Sequence, residues 1–168
     1  MKTWLKYLIV TVLVAIPAIP LGQMIWPAAA AESGDMHAAA PMATYQLVLF
    51  IVFSIIEALA LGLGVAFLVF GLPFARRLAG NSGWLSWAVY LSIAWSLVSW
   101  WPHDGFHRSG PSVDVLLALE YGFHGTLMAG GAVLVLAFLR TATRLAGAEQ
   151  PESRVAVAEP RIGSTALS

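Results

Sequence analysis

Along this chain the apolar residues come in long runs, and the polar ones gather in short breaks between them. The runs cover about 5–26, 46–70, 84–101 and 113–139. A helix needs about 20 mostly apolar residues to cross a hydrocarbon core of roughly 30 Å. The last three runs meet that length and are too long and continuous for strands. Gly71-Leu72-Pro73, Gly80-Asn81-Ser82-Gly83 and the stretch 102–112 separate them with Gly, Pro and charge. The pattern predicts an all-α, polytopic transmembrane helix bundle.

The first run admits two readings. Lys2 and Lys6 lead into apolar residues up to Trp26, and Pro27 and four alanines follow. That order also describes a signal peptide cut near Ala30 or Ala31. The run exceeds the usual apolar core of roughly 7–15 residues, which favours a retained helix. Pro17, Pro20 and Gly22 are expected to kink its second half. The bundle therefore has four spans, or three if this segment is removed.

Basic residues orient the spans. Lys2 and Lys6, Arg76 and Arg77, and Arg140 and Arg144 stand at alternate ends, whereas the other two connections carry only Arg108. The positive-inside rule puts these clusters in the cytoplasm and the stretches 28–44 and 102–112 outside. Trp4, Trp84 and Trp87 then mark the inner interface, and Trp26, Trp100 and Trp101 the outer one. From 147 to 168 the chain is polar, which predicts a disordered cytoplasmic tail.

Composition agrees, with 59% apolar and 11% charged residues in 168. Soluble domains run nearer a quarter charged. The absence of cysteine excludes disulfides, thiolate metal sites and iron–sulfur clusters. A net charge of zero with dispersed basic residues leaves nucleic-acid binding no footing. Helices in lipid approach through small residues. Ala58, Gly62 and Ala66 form one such stripe, and Gly122, Gly125 and Ala129 another. Ser92, Ser96 and Ser99 share a face and either bond to their own backbone or line a polar interior.

Three ionisable residues lie well inside spans: Glu57, Glu120 and His124. A charge there costs about 2.5–3.5 kcal/mol, so such residues face an interior or a cavity. Counting 1.5 Å per residue puts Glu57 about 15 Å deep and His124 about 13–14 Å deep, with Glu120 one turn above His124. If their two spans are neighbours, the three form one polar column. The stretch 102–112 adds His103, Asp104 and His107. A four-residue spacing brings two imidazoles together on a helix, whereas Pro102 and Gly105 favour a turn. Imidazole with carboxylate suits copper(II), zinc or non-haem iron. His37, between Met36 and Met42, adds a thioether and imidazole signal for copper.

The expected site is thus a transition-metal centre, copper favoured over zinc or iron, at the extracytoplasmic face. Its ligands are His103, His107, Glu120, His124 and Asp104, with Glu57 as a proton relay or supporting partner. The matching roles are metal handling, or an accessory subunit of a membrane redox complex. A proton or ion conduit through Glu57, Glu120 and His124 is the alternative, and a haem bundle or a structural subunit stand behind it. The lipid bilayer is the first partner, with a homo-oligomer or larger complex around the chain. No Gly-x-Ser-x-Gly elbow, phosphate loop or His-Glu-x2-His pattern is present.

Overall fold

The computed structural model describes residues 2–27, 44–80 and 82–148. These form six helices: α1 (Thr3–Ile25), α2 (Thr44–Phe70), α3 (Leu72–Ala79), α4 (Gly83–Val98), α5 (Trp100–Arg108) and α6 (Val113–Ala148). Among the described residues there is no strand. Three helices, α1, α2 and α6, are long and apolar enough to cross a membrane. His37, Met36 and Met42 lie outside the described residues, as does 149–168 of the tail. Residues 147 and 148, expected in the tail, instead complete α6.

Small residues set the packing of α1 on α2. Ala58 is buried with Ala15 and Ala18. A Cβ at Gly62 would run into the Thr11 carbonyl, so the two backbones nearly touch. Gly64, rotated about 200° from Gly62, meets Leu97 and Val98 of α4. One helix thus presents small residues to both neighbours, as lipid-embedded packing requires. Proline does not stop α1, which continues through Pro17 and Pro20 to Ile25.

The most buried helix is α4. Leu85, Val89, Tyr90 and Ala94 pack with Phe67, Ala75, Ala79 and Ala137 into the larger core. Tyr90 stacks on Phe67 and its hydroxyl donates to the Leu68 carbonyl. Of the three serines singled out, Ser96 follows the backbone-bonded reading, donating to the Ser92 carbonyl at 2.8 Å, as Ser86 does to the Ser82 carbonyl. Ser99 differs, being buried with no partner for its hydroxyl.

The expected span 84–101 is shorter than its apolar run, because α4 ends at Val98. Pro102 explains the break: lacking an N–H, it leaves the Val98 carbonyl without its partner four residues on. The chain bends there without unwinding. Ser99 N–H still reaches the Trp95 carbonyl and His103 N–H the Ser99 carbonyl, at 3.0 and 3.2 Å. The expected loop 102–112 is therefore mostly helix, with Pro102 in its first turn, where the ring is tolerated. Gly105 does not bend the chain either; it is buried in α5, where the Trp26 ring occupies the space of a side chain. The turn belongs to Gly110, whose φ of 63° few other residues adopt.

Helix α6 packs on α5 through Phe123 and on α4 through Gly130 and Ala137, each buried and seven residues from the next. Gly130 lies over Ser92, leaving space for a Cβ at 3.6 Å. The stripe Gly122, Gly125 and Ala129 falls on a different face and is exposed. At the far end Thr141 donates to the Leu78 carbonyl at 2.9 Å, and Arg144 lies against Gly80. A cation there complements the carbonyl end of α3. These contacts tie α6 to α3 and hold its other end level with α5.

Candidate metal centre

Helix α5 crosses one end of the bundle between α1 and α2 on one side and α6 on the other. Positions four apart share a face of such a helix. His103 and His107 accordingly look toward α6, their ring centroids 4.6 Å apart. The His103 ring lies flat on Phe123, centroids 3.8 Å apart and planes 19° from parallel. Trp100 closes edge-on against both rings. These contacts fix the imidazole plane, so its Nε2 has one direction in which to point.

That direction is the Glu120 carboxyl. His103 Nε2 stands 3.5 Å from Glu120 Oε1, and His107 Nε2 contacts the same oxygen. One ligand atom from each of His103, His107 and Glu120 lies within 4.8 Å of the others. Both Nε2 atoms are buried and neither makes a hydrogen bond of acceptable geometry. Three electron-pair donors aimed at one another repel unless protons or a cation lie among them. Bonds of about 2 Å to zinc or copper place ligand atoms roughly 3–4 Å apart, so a metal ion fits with small shifts of the three side chains. Burial, and then His107, push His103 below the usual imidazole range against the pull of Glu120. The favoured neutral form is the one that binds metal.

His124 supports this group from one turn further along α6. Its Nδ1 lies 3.0 Å from Glu120 Oε2 and 3.0 Å from the Glu120 backbone carbonyl. Both partners are acceptors, so Nδ1 carries the proton. With Oε2 held by His124, Oε1 is left for the other two histidines. His124 is 61% exposed and stands outside the three-residue group.

Asp104 stands apart from it too. One helical step of about 100° turns it from the histidine face, and its Oδ2 pairs with Arg108 Nε at 3.2 Å. The Glu57 carboxyl comes within hydrogen-bonding reach of Asp104, and Arg108 also lies over the Phe50 ring. Glu57 and Arg108 line a small cavity with Gln23, Ser54 and Trp101. The expected column of Glu57, Glu120 and His124 is not formed, because α2 and α6 do not pack on one another; α4 and α5 lie between them. Sequence reasoning overlooks Phe123 as the support of His103 and Arg108 as the partner of Asp104. Only the second leaves a signal, its spacing of four from Asp104.

The fold and this cluster define a class: a bundle of membrane-span-like helices with a His, His and Glu group at one end that could hold a metal ion. In comparisons with known proteins, no family model, no curated protein and no solved structure matches the chain.

Proposed function

We propose that the protein binds one divalent transition-metal ion through His103 Nε2, His107 Nε2 and Glu120 Oε1. The reading is carried by the two buried imidazole nitrogens that converge on one carboxylate oxygen without a hydrogen bond of acceptable geometry. Two imidazoles and a carboxylate bind copper(II), zinc or iron(II), and among these copper(II) has the highest intrinsic affinity. Copper is therefore the favoured occupant. Two helices supply the ligands, so the bound metal also ties α5 to α6. Three protein ligands leave a coordination position open for a transferred or reacting group. That arrangement suits metal handling, or delivery to a redox partner in the same membrane.

The basic clusters support an orientation with α5 at the extracytoplasmic face and the C-terminus in the cytoplasm. Retention of α1 is supported by its backbone contact at Gly62 and by Trp26 seated on Gly105. The conduit reading loses its support where α2 and α6 separate. Metal analysis of the full-length protein purified from its membrane tests the proposal. About one ion per chain is expected, lost in His103→Ala, His107→Ala and Glu120→Ala but kept in Asp104→Asn. Absence of metal after purification and after incubation with copper(II), zinc or iron(II) would refute it.

A further inference from the structure

Charge is divided between the two ends of the bundle. Among the described residues the acids Glu57, Asp104, Asp114 and Glu120 all belong to the α5 end. The other end carries Lys2, Lys6, Arg76, Arg77, Arg140 and Arg144, and among the described residues none of these forms an ion pair. Between α1, α2 and α3 this end holds a cavity of about 730 Å³, lined by Thr3, Trp4, Tyr7, Phe70, Phe74 and Arg77. Helical spacing explains the grouping: Thr3, Lys6 and Tyr7 share one face of α1, and Phe74 and Arg77 one face of α3. The Tyr7 and Phe70 rings meet at a centroid distance of 5.8 Å, and the Lys6 ammonium lies 5.9 Å over the same Phe70 ring. Arg77 is exposed, and among the described residues no hydrogen bond or ion pair engages its guanidinium.

A guanidinium presents a planar fork of N–H donors that matches the oxygens of a phosphate group. Two cations with no carboxylate between them favour an anion and oppose any ligand that carries its own ammonium. Basic pockets between membrane-spanning helices hold anionic lipid headgroups for this reason. Trp4 and Tyr7 also border an apolar hollow of about 530 Å³ with Leu8, Leu59 and Leu63. A cationic mouth beside a hydrocarbon-lined hollow suits one amphiphile better than a free anion. We infer that the cavity binds one anionic phospholipid, its phosphate held by Arg77 and Lys6 and the start of an acyl chain against Trp4 and Tyr7. The metal ligands are far from it: α1 begins at the cavity, and Trp26, just past the other end of α1, sits on Gly105. Lipid occupancy therefore does not depend on the metal reading.

Native mass spectrometry of the full-length protein, titrated in detergent with phosphatidylglycerol or phosphatidylcholine, is the test. One phosphatidylglycerol per chain is expected, bound at least about fivefold more tightly than phosphatidylcholine, the effect of roughly one cation beside an anionic head. Arg77→Gln and Lys6→Gln should each weaken phosphatidylglycerol about fivefold and leave phosphatidylcholine unchanged. Arg77→Lys keeps the charge without the fork and should recover part of the loss. Arg140→Gln removes a cation of the same end that lies over Trp84, outside the cavity, and should change nothing. His103→Ala, which removes a proposed metal ligand, should also leave lipid binding intact. Soluble glycerol phosphate should not compete; competition equal to that of the lipid would assign the site to a free phosphoester and overturn the inference. Equal affinity for the two lipids would overturn it as well, as would a loss in Arg140→Gln as large as that in Arg77→Gln.

Discussion

The two faces of α5 carry similar residues at the same spacing and do opposite things. Facing α6, His103 and His107 do not pair with each other, and both turn their Nε2 atoms to one oxygen of Glu120 on another helix. Facing α2, Asp104 and Arg108 neutralise each other at 3.2 Å, and Glu57 joins them. An acid and a base four residues apart form a closed pair. Two like donors four residues apart cannot satisfy each other and need a third party. The proposed metal site thus lies on the face whose groups do not pair within α5, while the paired face anchors the helix to its neighbours.

The largest expected effect is on the open face. Alanine at His103, His107 or Glu120 should weaken copper(II) or zinc binding by more than about 100-fold, since changes to mere supporting partners already cost about 10–100-fold. Titration with a chelator of known affinity measures this. His124→Ala comes next, at about 10–100-fold, because it frees Glu120 Oε2 without removing a ligand. His124→Gln, which can still donate to the carboxylate, should recover part of the loss.

Metal-free protein should show an acid limb. His103 is held below its ordinary value of 6.5 by burial and by His107. The unfolded chain then takes up a proton that folded His103 refuses, so stability falls as pH drops below that ordinary value and is unaffected above it. Detergent-induced unfolding followed from pH 8 to pH 5 should display the fall, and His103→Gln should flatten it. The smallest effect is expected on the paired face. Asp104→Asn should cost no more than about 1 kcal/mol, as for other partly exposed ion pairs, and should leave metal affinity within about twofold, which the same chelator titration reads.

Much of the open face is legible in the sequence. Glu120 and His124 stand one turn apart in a continuous apolar run, and His103 and His107 share that spacing. What hides the site is Pro102 with Gly105, a pair that locally spells a turn. Only the fold shows that Pro102 bends a helix that then carries both histidines. Asp104 misleads for the converse reason. Adjacency in sequence makes it look like a ligand, while one helical step turns it to the other face. The partner of Glu57 is not legible at all. Depth along a helix can be counted from sequence, but which helices are neighbours depends on packing across the whole bundle. The same limit explains α6, where Gly122, Gly125 and Ala129 look suited to contact while Phe123, Gly130 and Ala137 make it.

The central claim is that His103 and His107 give two nitrogens, and Glu120 one oxygen, to a single ion. Electron paramagnetic resonance of the full-length protein loaded with one equivalent of copper(II) tests it most directly. The account predicts superhyperfine structure from two imidazole nitrogens, lost in His107→Ala and unchanged in Asp104→Asn. A copper signal without nitrogen coupling, or one that survives His103→Ala and His107→Ala together, would contradict it.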